Sequence, residues 1–217
     1  MNTVTVIGST GSVGTQTLDV IRRCGGTIEA LSCYDNIGLL SKQIRLFHPR
    51  AVAVFDPLAG QKLQKRFKSL KIFQGAEGVV NLVSDCRSRT IVLSLSGEDA
   101  VDPLLGTLRL HKNLVLVNKE TILCHAEKVA KIFKMSRSRI IPADSELSAI
   151  YRCLEAHASQ KARLSGFCRV DISDVEKIIL PCSGGPFFRK KRRDLGKVTL
   201  RQVLNHPTWK MGKKISV

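Results

Sequence analysis

The chain has 217 residues, 43% of them hydrophobic, which excludes wholesale disorder and allows one large domain or one domain with part of a second. Lysine and arginine number 35 against 18 aspartates and glutamates, a formal net charge of +17. Such a charge attracts polyanions, whether nucleic acid or phosphorylated small molecules, although a solvated basic surface without a dedicated partner explains it equally well.

The seven cysteines are scattered and include no C-x-x-C pair. Their odd number and their spacing argue against a disulfide framework or a zinc site, and favour reduced thiols in a cytoplasmic protein. The first residues form a strand-like run, without the charged and apolar regions of a secretory signal. No uncharged run approaches the ~20 residues that span a bilayer, so we expect no membrane partner.

Residues 1–147 alternate short apolar runs with amphipathic segments. The strand-like runs are Thr3–Ile7, Ile28–Cys33, Ala51–Phe55, Thr90–Leu95 and Asn113–Val117. Helices are predicted at Thr15–Arg23, Gly38–Phe47 and Leu58–Ser69. Near-continuous apolar strands that alternate with helices predict a parallel sheet covered on both faces. The fold class is therefore α/β, with a doubly wound, Rossmann-like sheet.

Residues 148–217 are predicted to begin a second, α+β domain. A helix is expected at Ser145–Leu154 and a strand at Val175–Leu180, and the composition of Ser183–Pro186 is typical of a turn. The basic run Arg189–Arg193 follows. Because the alternation of apolar runs and helical segments ends here, the boundary between the two domains is predicted near residue 147.

Three glycines, Gly8, Gly11 and Gly14, lie between the first strand and the first helix in the pattern G-x-x-G-x-x-G. Glycine allows a tight turn and close approach of the backbone to a pyrophosphate, while the helix amino terminus offers N–H groups to the anion. Strand-turn-helix joints also carry glycine for geometry alone. The position of this motif in an α/β pattern favours dinucleotide binding.

The residues after the second predicted strand, Ser32–Asn36, lie where a Rossmann domain distinguishes NAD from NADP. Asp35 would repel a 2′-phosphate. The same segment is also explained as a polar turn that opens the next helix.

Two carboxylates, Asp144 and Glu146, lie two residues apart at a predicted strand-to-helix joint. Ligands of open α/β sheets bind at this edge, and carboxylates suit Mg²⁺ or Mn²⁺. Taken alone, the pair is better explained by local structure, because an aspartate at a helix start is an ordinary cap and a glutamate in the first turn suits the helix dipole. The pair alone leaves both interpretations open.

Five motifs, each weak alone, together resemble the 1-deoxy-D-xylulose 5-phosphate reductoisomerase family in order and spacing, over essentially the whole chain. They are G-S-T-G-S-V-G at Gly8–Gly14, N-K-E at Asn118–Glu120, A-D-S-E-L-S-A-I at Ala143–Ile150, S-G-G-P-F at Ser183–Phe187 and H-P-T-W-K-M-G-K-K-I-S-V at His206–Val217.

The resemblance implies a role for each matching residue. Those expected to contact NADPH are Thr10, Gly11, Ser12, Val13, Asn36, Asn118, Glu120 and Gly212, with Met211 near the nicotinamide. Those expected to contact the substrate or take part in catalysis are Lys119, Ser145, Glu146, Ser183, His206 and Trp209, the last on a closing loop. Asp144 and Glu146 are the implied metal ligands.

The implied reaction is the reductive isomerisation of 1-deoxy-D-xylulose 5-phosphate to 2-C-methyl-D-erythritol 4-phosphate, in isoprenoid precursor biosynthesis. The implied cofactors are NADPH and Mn²⁺ or Mg²⁺, with Co²⁺ as a further metal. The partner is a small sugar phosphate rather than nucleic acid, and the full-length family suggests a homodimer.

Three features depart from the family pattern. Tyr34 and Asp35 stand where the family has glycine and a basic residue, and Pro181-Cys182 stands where it has Thr-Ala. The family pattern continues after I-S-V into a serine, an asparagine–lysine pair and a third metal carboxylate. We therefore expect the 217-residue chain not to turn over the sugar phosphate by itself.

Two alternatives to a shortened enzyme remain. A non-catalytic remnant that binds dinucleotide or pairs with a homologous chain would respond to NADPH without turnover. A nucleic-acid-binding module would explain the charge of +17 and the run Arg189–Arg193. Its basic residues are not interleaved with aromatics, however, and no nucleic-acid motif is evident.

Overall fold

A computed structural model describes residues 3–95, 97–157, 175–181 and 185–205. The chain divides into two compact units, Met1–Val175 and Glu176–Val217. The predicted boundary near residue 147 stays a prediction.

The first unit is built on a seven-stranded sheet. Its strands are β1 (Thr3–Ile7), β2 (Thr27–Cys33), β3 (Ala51–Val54), β4 (Lys71–Gln74), β5 (Thr90–Leu93), β6 (Asn113–Leu116) and β7 (Ile140–Pro142). They lie in the order β4-β3-β2-β1-β5-β6-β7, and every neighbouring pair is parallel. The predicted doubly wound, Rossmann-like sheet is confirmed.

Helices connect these strands. They are α1 (Ser12–Arg23), α2 (Ile37–Phe47), α3 (Pro57–Arg66), α4 (Gly75–Asp85), α5 (Val101–Arg109), α6 (Lys119–Cys124), α7 (Ala126–Met135) and α8 (Ser145–His157), with a 3₁₀ turn at Gly97–Ala100 before α5. The described residues include no helix of the length and apolarity that a bilayer crossing requires.

Alternate strand residues feed two cores, one on each face of the sheet. Val6 and Leu31 pack with Leu18 of α1 and Leu40 of α2 on one face. The neighbouring Ile7 lies on the other face, in a cluster with buried side chains of α4 and α5. Because both faces are covered, most residues of the inner strands are apolar, which produces the apolar runs in the sequence.

Some elements are not evident from the sequence. Strand β4 is a half-buried edge strand whose residues Lys71–Gln74 mix polar and apolar side chains. Helix α4 begins at a glycine and contains a second one, Gly78, against which Phe73 packs. Tertiary packing rather than local propensity therefore determines these elements.

An ion-pair network joins the amino ends of the strands, opposite the edge where ligands of such sheets bind. Glu29 accepts a backbone N–H from Arg87 at 2.7 Å and another from Ser88. Arg50 pairs with Glu29 at 3.3 Å and with Asp85 at 2.6 Å. Burial alone would raise the pKa of the Glu29 carboxyl, but the two N–H donors and Arg50 outweigh it and hold that pKa below its ordinary value.

In the second unit the described residues form a turn after Gly185, a 3₁₀ segment at Arg192–Lys197 and a short helix, α9 (Leu200–Val203). The strand predicted at Val175–Leu180 is wrong, because these residues form no regular structure. Ile178, Ile179 and Leu180 are exposed. A strand needs a paired neighbour, and no strand occurs among the described residues of this unit.

The Glu29 network predicts a pH-dependent loss of stability in Glu29→Gln. This variant should lower the free energy of unfolding by about 1–3 kcal/mol at neutral pH, because an amide cannot accept both N–H groups and pair with Arg50. The folded pKa is depressed, so the carboxylate stabilises the fold above its unfolded pKa and ceases to do so as the pH falls through the folded value. The difference from the original chain should therefore shrink below pH ~4.

Urea denaturation at several pH values measures this difference. The control is Asp19→Asn, which also removes one carboxylate but only from exposed pairs with Arg22 and Arg23 on α1. A Glu29→Gln variant as stable as the Asp19→Asn control at neutral pH would contradict the prediction.

Candidate functional site

The chain reverses its direction across the sheet between β1 and β5, which is where doubly wound sheets bind ligands. The glycine loop, Gly8–Gly14, follows β1 at this point. Gly8 has a φ of +81°, and a Cβ there would lie 2.7 Å from the carbonyl oxygen of Ser94. Both the backbone conformation and the neighbouring strand therefore require glycine.

At the other two glycines of the loop, Gly11 and Gly14, the surroundings leave different amounts of space for a side chain. A Cβ on Gly14 would lie 2.2 Å from the Gly8 carbonyl oxygen and 2.7 Å from the Ser9 Cα, so the close packing of α1 on the turn excludes any side chain. A Cβ on Gly11 would meet only the Gly8 oxygen, at an ordinary 3.5 Å. Gly11 has φ −73°, which any residue adopts. The fold itself therefore does not require glycine at position 11.

A buried network holds the glycine loop against β2. The Gly8 N–H donates to Ser32 Oγ at 2.9 Å, and the Ser9 N–H donates to the Ser32 carbonyl at 2.7 Å. Ser9 Oγ donates to Gln43 Oε1 at 2.7 Å, while the Gln43 amide donates back to the Ser9 carbonyl at 2.9 Å. The backbone of the turn is thereby fixed before any ligand arrives.

The amino end of α1 opens into a cleft. No side chain caps the helix at Gly11, so the first N–H groups stay available to an anion. The cleft has a volume of about 430 Å³ and is lined by Gly8, Thr10, Gly11, Tyr34, Asn36, Phe55, Ser94, Leu95 and Asp99. The predicted residues Thr10, Gly11 and Asn36 thus line one cavity, and Ser12 and Val13 form the first turn of the helix that opens into it.

An aromatic pair forms one wall of this cleft. The rings of Tyr34 and Phe55 stack with centroids 4.7 Å apart and planes 16° apart. Asn36 begins α2, and its side chain accepts the Leu39 N–H at 3.1 Å. An aromatic wall of this kind can stack on the base of a nucleotide.

Asn118 joins the β6–α6 turn to the segment that follows β5. Its Oδ1 accepts the Thr121 N–H at 3.1 Å, and its Nδ2 donates to the Leu95 carbonyl at 3.0 Å. The residue is buried. Asn118 therefore positions this edge of the cleft, and its contact with a cofactor stays a prediction.

Lys119 and Glu146 meet at the same edge of the sheet. The Lys119 ammonium lies 2.8 Å from Glu146 Oε2. Their contact lowers the pKa of the Glu146 carboxyl and raises the pKa of Lys119. The negative charges of Asp144 and Glu120 also raise the Lys119 pKa. The Lys119 ammonium therefore neutralises the Glu146 carboxylate at this edge.

Asp144 caps α8, since its Oδ2 accepts the Leu147 N–H at 3.1 Å. The capping interpretation of this residue is thus correct, but its second oxygen and the Glu146 carboxylate are still suited to a hard cation. No group of three metal-binding side chains occurs among the described residues. The donor set fits a divalent ion as a partial site with two carboxylates.

The two candidate sites lie along one edge. The carboxyl ends of β1, β5, β6 and β7 are consecutive neighbours in the sheet, so roughly 14 Å separates the glycine loop from the Asp144 turn at the usual strand spacing. An extended dinucleotide can bridge that distance. The buried hydroxyl of Thr121, on α6 between them, has no hydrogen-bond partner among the described residues, which suits the arrival of a ligand.

The remaining predicted residues either lie near the start of a helix or fall outside the described residues. Ser145 is the exposed first residue of α8, and Glu120 is half-buried in the first turn of α6. Ser183, His206, Trp209, Met211 and Gly212 lie outside the described residues. The supporting contacts of Ser9, Ser32, Gln43 and Ser94 are not evident from the sequence, because they join segments distant in the chain.

Comparison with known proteins gives consistent matches. A family model described as 1-deoxy-D-xylulose 5-phosphate reductoisomerase matches residues 4–126, and one for the C-terminal domain of that enzyme matches residues 140–217. Enzymes of that name from Thermoanaerobacter sp. (strain X514) and Chlamydia caviae are 38% and 37% identical over 100% of this chain. The chain covers 54% and 55% of them, about half the length of these curated relatives.

Solved structures agree with these matches. A crystal structure of DOX-P reductoisomerase in complex with NADPH, fosmidomycin and magnesium has a TM-score of 0.79 and 27% identity, over 100% of this chain and 53% of that one. The Zymomonas mobilis enzyme in complex with NADPH has a TM-score of 0.79 and 26% identity, over 95% of this chain and 52% of that one.

The different demands on Gly11 and Gly14 predict different effects of alanine. Gly14→Ala should destabilise the fold by about 1–3 kcal/mol, because the new methyl collides with backbone. Gly11→Ala should leave the free energy of unfolding within ~1 kcal/mol and weaken NADPH binding at least about fivefold. Urea denaturation and calorimetric titration measure the two effects. Unchanged NADPH affinity in Gly11→Ala would contradict a pyrophosphate site at this turn.

Proposed function

The chain belongs to the 1-deoxy-D-xylulose 5-phosphate reductoisomerase family, and from that premise we propose that it binds NADPH along the carboxyl edge of its sheet and a divalent metal at Asp144 and Glu146. These sites serve the reductive isomerisation of 1-deoxy-D-xylulose 5-phosphate to 2-C-methyl-D-erythritol 4-phosphate. The observation that carries the proposal is the convergence of the open glycine loop and the Lys119–Glu146 pair on one edge.

The chain's own residues would bind and orient the reactants. The first turn of α1, with Ser12 and Val13, would hold the pyrophosphate, because its N–H groups are uncapped and Gly11 leaves room. Lys119 would donate hydrogen bonds to a polar or anionic group of the sugar phosphate, and Ser145 would lie beside it at the start of α8. Asn118 would hold the two turns in register.

Asp144 and Glu146 would hold the metal, Mn²⁺, Mg²⁺ or Co²⁺. When bound, such an ion supplies Lewis-acid polarisation of the ketone, and the nicotinamide supplies hydride. Lys119 neutralises Glu146 at 2.8 Å, and its ammonium would also donate to the substrate. Ser183 and His206 would bind the substrate. The segment with Trp209 would close over it. We further propose that the protein forms a homodimer and is located in the cytoplasm.

One observation favours a second candidate function, a dinucleotide-binding chain without catalysis. Asp144 and Glu146 supply two carboxylates, and the described residues contain no group of three side chains that could hold a metal ion. An under-coordinated Mg²⁺ keeps more water and binds weakly. The isolated 217-residue chain is therefore expected to bind NADPH without oxidising it when the sugar phosphate and Mn²⁺ are added.

The absorbance of NADPH follows this reaction directly. Binding without turnover would favour the second candidate for the isolated chain. Turnover that Asp144→Asn abolishes would contradict the expected inactivity and identify the chain as a competent enzyme.

The proposed metal site predicts that Asp144→Asn weakens Mn²⁺ binding at least about tenfold, because one negative charge of the pair is lost. Asparagine caps helices as well as aspartate does, so the fold should be unaffected. Electron paramagnetic resonance of unbound Mn²⁺ measures the affinity, and thermal denaturation measures the fold.

The matched control is Glu127→Gln, which removes an exposed carboxylate from the first turn of α7. It should leave Mn²⁺ affinity unchanged. Equal Mn²⁺ affinity in Asp144→Asn and Glu127→Gln would place the metal elsewhere.

A further inference from the structure

We propose that the ribose end of the cleft accepts a free 2′-hydroxyl rather than a 2′-phosphate, so that the chain binds NADH at least as tightly as NADPH. This inference rests on the dinucleotide-binding function proposed above and concerns the choice between its two ligands.

The selecting residues follow β2. In doubly wound folds the adenine ribose lies at the end of the second strand, where an acidic residue binds its hydroxyls or a basic one binds the 2′-phosphate. Here β2 ends at Cys33, and the preceding Ser32 is bonded directly to the glycine loop. Tyr34, Asp35 and Asn36 follow β2 directly, and Tyr34 and Asn36 line the cleft. This part of the cleft is its ribose end.

Charge at this end opposes a phosphate. The nine lining residues include no lysine or arginine, although the chain carries 35 of them. The exposed Asp35 lies between two lining residues, Tyr34 and Asn36, whereas the charged lining residue Asp99 follows β5, on the other side of β1. A carboxylate accepts hydrogen bonds from ribose hydroxyls, and it repels a phosphate dianion that no lining cation neutralises.

The amino end of α2 offers little compensation. The Ile37 N–H donates to the Asp35 carbonyl at 2.7 Å, and the Leu39 N–H donates to Asn36 Oδ1 at 3.1 Å. A 2′-phosphate at this helix start would therefore meet N–H groups that are already bonded within the chain, together with the nearby carboxylate of Asp35.

Affinity at this end comes instead from the stacked rings of Tyr34 and Phe55. Tyr34 is 53% exposed and presents an aromatic face to the cleft. Stacking on adenine contributes equally to NADH and NADPH. The cleft therefore has an adenine contact that does not depend on the 2′ substituent.

The test is calorimetric titration of the 217-residue chain with NADH and with NADPH at ~0.15 M salt, where long-range attraction to the basic surface is screened. The original chain should give an NADPH dissociation constant equal to or larger than that for NADH. Asp35→Lys should tighten NADPH about tenfold or more and weaken NADH, whose ribose hydroxyls lose a carboxylate acceptor, and Asp35→Asn should fall between the two. Glu127→Lys, the same charge reversal on α7, should leave the ratio of the two constants unchanged.

The outcomes distinguish failure of the proposed cofactor preference from failure of dinucleotide binding itself. NADPH binding that is tenfold or more tighter than NADH binding in the original chain would overturn the inference and leave dinucleotide binding intact. A ratio that Asp35→Lys and Glu127→Lys alter equally would also overturn it, because net charge alone would then account for the change. Failure of both dinucleotides to bind would overturn the proposed function itself.

Discussion

The contact between α1 and the turn that precedes it is the constraint on which the rest of the site depends. Only glycine at position 14 lets the helix start within van der Waals distance of the Gly8 carbonyl. That closeness points the uncapped end of α1 along the edge of the sheet, and the Ser9, Ser32 and Gln43 bonds keep it there. The rigidity of the turn therefore keeps the amino end of α1 open, without a capping side chain.

The opposite end of the edge is governed by electrostatics rather than packing. Lys119 comes from the turn after β6, and Glu146 from the first turn of the helix after β7, and both are half-exposed. Parallel strands deliver such turns to one edge, so carboxylates and a lysine distant in sequence become neighbours. The pair lowers the pKa of the Glu146 carboxyl and raises that of the Lys119 ammonium, so each charge stabilises the other.

The sequence predicted what depends on local pattern. The apolar runs located six of the seven strands, counting the strand before Asp144, because buried parallel strands have little choice of residue type. Strand β4 was not evident, because its residues are half-buried and mixed. Val175–Leu180 has the composition of a strand, yet these residues form no regular structure and Ile178 and Ile179 are exposed. The motifs indicated the Gly8–Gly14 turn and the Asp144–Glu146 pair, whereas the supporting contacts of Gln43 and Asn118 depend on tertiary structure.

The most direct test of the account is to locate the bound dinucleotide by two-dimensional amide NMR of the 217-residue chain. Addition of NADPH or NADH should shift the amide signals of Ser12, Val13 and Thr121, and of residues around Tyr34, because these line or adjoin one edge of the sheet. The basic run Arg189–Arg193 should show no comparable, saturable change. Saturable shifts confined to that run, with the glycine loop unaffected, would contradict a dinucleotide site at the β1–α1 turn.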